Sequence, residues 1–185
     1  MTCIVGVVNE NDVYLGADSY CGRGSEKEVL TSGSKIFRLF ESSRQVPILL
    51  ASCGDVRTHQ LLQYALKVPA WDEGKSLMHY LVCDFAEAVR TCFDEGGRLY
   101  KHESVDRADY SALLAIDGRL FVLTNGFSIE ESNRGFYAFA SGSEFASASL
   151  WHSRGQPPQE RLRTALETAV EFADYVAPPF HIEKL

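Results

Sequence analysis

Apolar residues near the N-terminus come in short runs separated by turn residues. TCIVGVV and DVYLGADS, joined by Asn9-Glu10-Asn11, predict the two strands of a hairpin. SKIFRLF, with Ile36, Phe37 and Leu39, and VPILLASC, from Val46 to Cys53, predict a second pair across the polar connector Glu41 to Gln45. At Asp55 the period changes. Leu61, Leu62, Ala65 and Leu66 recur at helical spacing behind Asp55 as N-cap, and the polar or small stretch from Pro69 to Lys75 ends that helix. Leu77, Leu81, Phe85, Ala88 and Cys92 stand about four apart, which predicts a longer helix with one apolar face and Gly96-Gly97 as its stop.

After the polar stretch His102 to Asp109, SALLAI and RLFVLT flank Asp117-Gly118, a strong hairpin signal. GFYAFAS, from Gly135 to Ser141, is a further candidate strand. A small-residue helix is expected from Ser143 to His152, and Pro157-Pro158 opens another through Leu162, Leu166, Ala169, Val170 and Ala173. The run Phe180 to Leu185 is able to return as an edge strand. The order is strands, two helices, strands, two helices and a final strand. Short turns favour antiparallel pairing, and helices arriving in pairs suggest a helical layer on each outer side of two stacked sheets. The order alone also fits a simpler α+β layering.

Length and composition narrow the classes. The 185 residues suit a single domain spanning 1–185, and 45% hydrophobic residues supply a core that excludes a disordered chain. With 18 Lys+Arg against 25 Asp+Glu the net charge is −7 and no basic cluster offsets it, which argues against a nucleic-acid partner. No basic-then-apolar leader and no apolar run of about 20 residues stands out, so a cytoplasmic protein without a membrane partner is expected. The five cysteines, Cys3, Cys21, Cys53, Cys83 and Cys92, lack CxxC spacing and read as buried free thiols rather than a zinc or disulfide framework. The five histidines form no HExxH or other metal pair, so no metal and no cofactor is expected.

Candidate chemistry starts at Thr2, which directly follows Met1. Methionine removal is favoured before a small residue, and it would leave a free α-amine on the residue that carries the hydroxyl. Such an amine, with a reference pKa of about 8, takes the hydroxyl proton where no histidine serves. It needs a nearby cation to stay neutral near neutral pH, and a carboxylate to orient that cation. Asp18, at the end of the second strand, and Lys35, at the opening of the third, are the candidates. Each, taken singly, also fits an exposed charge at a strand end.

In this order, TCIVGVV, LGADS, SKIFRL, ASCGD leading into a helix, and FASGSEFASASL together resemble the proteasome β-subunits and the HslV-type bacterial peptidases. The likeness is greatest to short proteasome-like proteins of bacteria and phages that begin MTCIVG. The resemblance covers almost the whole chain and implies the N-terminal nucleophile (Ntn) hydrolase fold, an α+β four-layer αββα sandwich.

Residue by residue, it makes Thr2 the nucleophile and its α-amine the general base. Asp18 matches the aspartate of the GAD segment. Lys35 matches the lysine of the KI segment, displaced by an extra loop residue between Tyr20 and Gly33. Ser141 matches the serine of a Gly-Ser-Gly whose first glycine is here Ala140. Gly54 matches the glycine whose N–H stabilises the oxyanion, and Ser52 and Cys53 would neighbour the first specificity pocket. Asp55 follows Gly54 where the family carries a small residue, so it either turns away as the helix N-cap or weakens the oxyanion hole. Near the C-terminus, where the family places a supporting aspartate, Tyr175 falls on that position and Asp174 fits only with a one-residue shift.

The resemblance implies an N-terminal threonine endopeptidase acting on unfolded polypeptides or peptides within a homo-oligomeric ring, often fed by an ATP-dependent unfoldase. Two alternatives stay open: an Ntn amidase acting on small amides, and a non-catalytic ring or scaffold.

Overall fold

Alternation along the strands decides the layering. The computed structural model describes residues 2–23, 26–29, 34–72 and 74–185, with the backbone alone at 23 and 26–29. One sheet runs β12 (Phe136–Ala140), β1 (Cys3–Asn9), β2 (Asp12–Ala17) and β13 (His181–Lys184), in that order. The other runs β11 (Ile129–Glu131), β10 (Arg119–Leu123), β9 (Tyr110–Ile116), β6 (Pro47–Gly54) and β5 (Ile36–Phe40). All neighbouring strands are antiparallel. Ile4 of β1 and Val13, Leu15 and Ala17 of β2 face Leu49 and Ala51 of β6 and Leu113 and Ala115 of β9, forming a middle core between the sheets.

The opposite faces are buried as well. Cys3, Val5 and Val7 pack on Leu150 of α4 (Ser143–His152) and on Leu162, Leu166 and Ala169 of α5 (Pro158–Phe172). Ile48 and Leu50 pack on Leu61 and Leu62 of α1 (Val56–Tyr64), and on a second helical run that holds Leu81, Phe85, Val89 and Phe93. A period of two with both faces buried explains why these strands read as nearly unbroken apolar runs. The result is the four-layer αββα sandwich, and each fully buried Leu or Ile contributes roughly 1.5–3 kcal/mol to it.

Local chemistry sets the boundaries. Asp117 and Gly118 both take positive φ (51° and 69°), the conformation that a two-residue hairpin turn demands. α1 stops at Tyr64, short of the Pro69 break. The next helix opens at α2 (Leu77–His79), passes through a π-helical turn (Tyr80–Phe85) and continues as α3 (Ala86–Glu95). The wider turn rotates the buried face, so Ala86, Val89, Cys92 and Phe93 face the core while the expected Ala88 is only half-buried. The polar stretch from His102 contributes to a small hairpin, β7 (Tyr100–His102) with β8 (Val105–Arg107), and β3 (Tyr20–Arg23) pairs with β4 (Glu26–Val29). These short elements and β11 carry too little apolar signal to be anticipated. The returning C-terminal strand is present: β13 pairs with β2 at one edge. Among the described residues no helix is long and apolar enough to cross a membrane.

The polar connector after β5 is held by one buried side chain. Glu41 is fully buried and accepts from Ser43 N (2.7 Å), Ser43 Oγ (2.6 Å), Arg44 N (2.9 Å) and Trp71 N (2.8 Å). Burial alone would raise its pKa, but these donors together bring the carboxyl down from its ordinary 4.5 to about 2. The unfolded chain therefore binds this proton more readily, and the stabilisation is full above about pH 4.5 and lost as pH falls towards 2. Glu41→Gln, which leaves at least one donor without an acceptor, is expected to cost about 1–3 kcal/mol at pH 7. Denaturant melts of both proteins should show that difference shrinking between pH 4.5 and 2.

Candidate active site

The N-terminal hairpin places a carboxylate beside the first described residue. Ile4 pairs with Ala17, so Asp18, one residue beyond β2, lies alongside Cys3, one residue beyond Thr2. Asp18 is fully buried. Its Oδ1 accepts from Cys3 N (2.9 Å) and Lys35 Nζ (2.7 Å), and its Oδ2 from Tyr20 N (2.9 Å) and Ala177 N (3.2 Å). Lys35 stands just before β5, fixed by Ser52 N donating to its carbonyl (3.0 Å), and its side chain is only 9% exposed. Burial lowers the Lys35 pKa below its ordinary value, and the Asp18 carboxylate works against that shift. Lys35 with its counterion is thus a desolvated cation at one wall of a cavity.

That cavity, about 280 Å³, is lined by Thr2, Lys35, Ser52, Cys53, Gly54 and His59 among others. A larger groove of about 370 Å³, on the outer side of α3, is lined by Asp84 and Glu87, which are paired with Lys75 and Arg90, and it contains none of the sequence-predicted site residues. Thr2 is 5% exposed, and its carbonyl accepts from Ser141 N (2.7 Å), just past the end of β12. Gly54 closes β6 with φ 120°, and a Cβ there would collide with the Asp109 carbonyl and the Tyr110 backbone, so no other residue fits. The Asp55 carboxylate accepts from Arg57 N (2.7 Å) and caps α1, so its charge is engaged at the helix start.

The predicted residues therefore meet at one end of the two sheets. Thr2, Lys35 and Gly54 share the cavity wall, Asp18 sits behind Lys35, and Ser141 reaches Thr2 through its backbone. Asp174 is not brought in: it is exposed in the turn after α5. The C-terminal segment instead reaches the site through the Ala177 N–H on Asp18, and Tyr175 packs edge-on against Tyr20 at 5.7 Å. Met1 and residues 30–33 lie outside the described residues, and with them methionine removal and part of the stretch expected to hold the extra loop residue.

The five cysteines are free, as expected, but not all are buried. Cys3 and Cys92 are buried, Cys21 and Cys53 line the cavity half-buried, and Cys83 is exposed. Burial, with Asp18 adding to it, pushes the Cys3 thiol up to about 12, and burial pushes Cys53 up to about 11. Neither thiol is a thiolate near neutral pH, which leaves the Thr2 hydroxyl without a rival nucleophile from either. Sequence reasoning missed His59, whose Nδ1 lies 2.6 Å from Ser52 Oγ. Its place one helical turn beyond the Gly54-Asp55 cap was the available signal. Among the described residues no group of three or more His, Cys, Asp or Glu is arranged to hold a metal ion.

No family profile and no curated protein matches the chain. Solved structures do. BPH from Thiobacillus denitrificans is 18% identical, with TM-score 0.81 over 100% of this chain and 97% of its own, and its complex with epoxomicin gives 0.78 at 19% identity over 100% and 98%. HslV from Trypanosoma brucei is 16% identical with TM-score 0.68, over 100% and 99% of the two chains. The Anbu complex from Pseudomonas aeruginosa, a helical assembly, is 15% identical with TM-score 0.65, over 100% and 81%. The chain has the fold of the proteasome-like Ntn hydrolases.

Ala140 holds φ 69°, a left-handed conformation that burdens any residue with a Cβ, immediately before the Ser141 contact to Thr2. In an ordinary strand Ala→Gly costs roughly 0.5–1 kcal/mol. Ala140→Gly is expected to be neutral or stabilising by up to about 1 kcal/mol, whereas Ala138→Gly in the same strand should lower the denaturation midpoint.

Proposed function

We propose that this protein is a threonine-type endopeptidase of a proteasome-like assembly, with Thr2 as its nucleophile once Met1 is removed. The observation that supports this reading best is the convergence on one cavity wall of Thr2 and Lys35, with Asp18 2.7 Å behind the lysine. In this mechanism the Thr2 α-amine takes the hydroxyl proton as the oxygen attacks a peptide carbonyl. The backbone N–H of Gly54 stabilises the oxyanion, where a preorganised donor contributes about 3–4 kcal/mol. The amine returns its proton to the leaving peptide amine, leaving an ester on Thr2. Water activated by the same α-amine then releases the acyl group and restores the hydroxyl.

Each neighbour has a part. The Lys35 cation holds the α-amine neutral near neutral pH, Asp18 orients Lys35, and Ser141 fixes the Thr2 backbone. Asp55, engaged as the α1 cap, removes the objection that its charge opposes the oxyanion. Substrates in this reading are peptides or unfolded polypeptides, and the protein works as a homo-oligomer. The helical assembly of the structurally similar Anbu supports that, as do the exposed Phe145, Trp151 and Phe172 on α4 and α5, suited to subunit contacts. An ATP-driven unfoldase as partner remains an implication of the family resemblance.

Epoxomicin, found in complex with the structurally similar BPH, is the direct probe. Its epoxyketone engages a hydroxyl and an amine on one residue. Intact-mass measurement should show a chain lacking Met1 and carrying one adduct, absent in Thr2→Ala. A chain that retains Met1 and takes no adduct would favour a non-catalytic assembly. Lys35→Ala leaves Asp18 its three backbone donors, so folding should survive. It should lower kcat/KM more than about 100-fold at pH 7, with partial recovery at alkaline pH, where the α-amine deprotonates unaided.

A further inference from the structure

We propose that the cavity beside Thr2 selects an acidic side chain, glutamate or aspartate, on the substrate residue whose carbonyl is attacked, and that His59 is the group that recognises it. This rests on the peptidase reading above. His59, Ser52, Lys35 and Thr2 line one cavity of about 280 Å³, with room for a substrate side chain beside the nucleophile. The His59 ring is held in place: its Nδ1 meets Ser52 Oγ at 2.6 Å, and it stands edge-on to Phe37 at 5.0 Å and 88°. Nε2 is the polar ring atom left for an occupant.

Charge decides what that occupant is. Among the described lining residues there is no carboxylate, while Lys35, His59, Gln60 and Gln63 all carry nitrogen donors or potential donors. Asp18 neutralises Lys35 from behind but does not line the cavity, so an occupant meets the cation first. His59 registers this field: burial lowers its pKa, and the nearby Lys35 cation lowers it further. A substrate carboxylate opposes the Lys35 effect, since it supplies negative charge and a charge-assisted acceptor that favours a proton on His59. A basic side chain meets like charge instead. An apolar one desolvates the remaining His59 ring nitrogen and the Lys35 ammonium while offering them no partner.

The experiment uses peptide epoxyketones that differ only in the side chain next to the reactive ketone: Glu, Gln, Leu, Arg and Ala. Rates of adduct formation are followed by intact mass at pH 7, on wild type, His59→Leu and His59→Gln. The expected wild-type order is Glu ahead of Gln by about tenfold or more, then Leu, with Arg slowest. His59→Leu should bring Glu down to or below Leu. His59→Gln should keep Gln ahead of Leu while removing the lead of Glu over Gln. A wild-type preference for Leu or Arg, or a Glu lead untouched in His59→Leu, overturns the proposal whether or not the variants are stable. If the Ala reagent modifies Thr2 and the Glu reagent has no lead, the pocket assignment fails alone. If none of the five reacts, the Thr2 nucleophile fails and the pocket assignment fails with it.

Discussion

A carboxylate with no solvent contact is the constraint around which the site is built. Removing such a charge from water costs several kcal/mol unless donors replace the water, and Asp18 has four of them on its two oxygens. They come from four places in the chain: the start of β1, the start of β3, Lys35 before β5 and the segment after α5. Satisfying Asp18 therefore pins three places within residues 3–35 and one near the C-terminal end, at Ala177, to one point. The two sheets arrive there with their strand ends aligned, since β1, β2 and β12 belong to one and β5 and β6 to the other.

Lys35 links this buried anchor to the open cavity. One side of its ammonium contacts Asp18 at 2.7 Å, and the same residue contributes to the wall that Thr2 shares. In a site of low dielectric a single cation so placed acts in two directions: it biases the proton affinity of the amine in the proposed mechanism, and it sets the potential felt by whatever occupies the cavity. Of the thiols that come near, Cys3 and Cys53 are held protonated by burial, so neither of these two is activated as a sulfur nucleophile.

Much of the architecture was legible because the strands bury both faces and the helices carry clear stripes. Hairpin chemistry at Asp117-Gly118 and the Asp55 cap located two boundaries closely. The π-helical turn was not legible, because it shifts the buried face from Ala88 to Val89 without any composition that marks it. Short hairpins such as β7–β8 depend on backbone pairing more than on apolar content, and left no pattern. At the candidate site, chain order and motif singled out Thr2, Asp18, Lys35, Gly54 and Ser141, which the fold gathers at one end of the sheets. His59 was passed over, since its place one helical turn beyond the Asp55 cap is a faint signal until Ser52 is seen 2.6 Å away. The Ala177 contact could not be anticipated either, because a backbone N–H has no letter in the sequence.

That last contact bears on divergence. Three of the four donors to Asp18 are main-chain N–H groups, at Cys3, Tyr20 and Ala177. Any residue other than proline offers the same donor, so these three hydrogen bonds do not themselves require Cys3, Tyr20 or Ala177, whose buried side chains answer to packing instead. A geometry written mostly in main-chain atoms leaves a faint trace in residue identities. It is compatible with a TM-score of 0.81 to a protein only 18% identical, a shared fold that spatial superposition detects and letter-by-letter alignment does not.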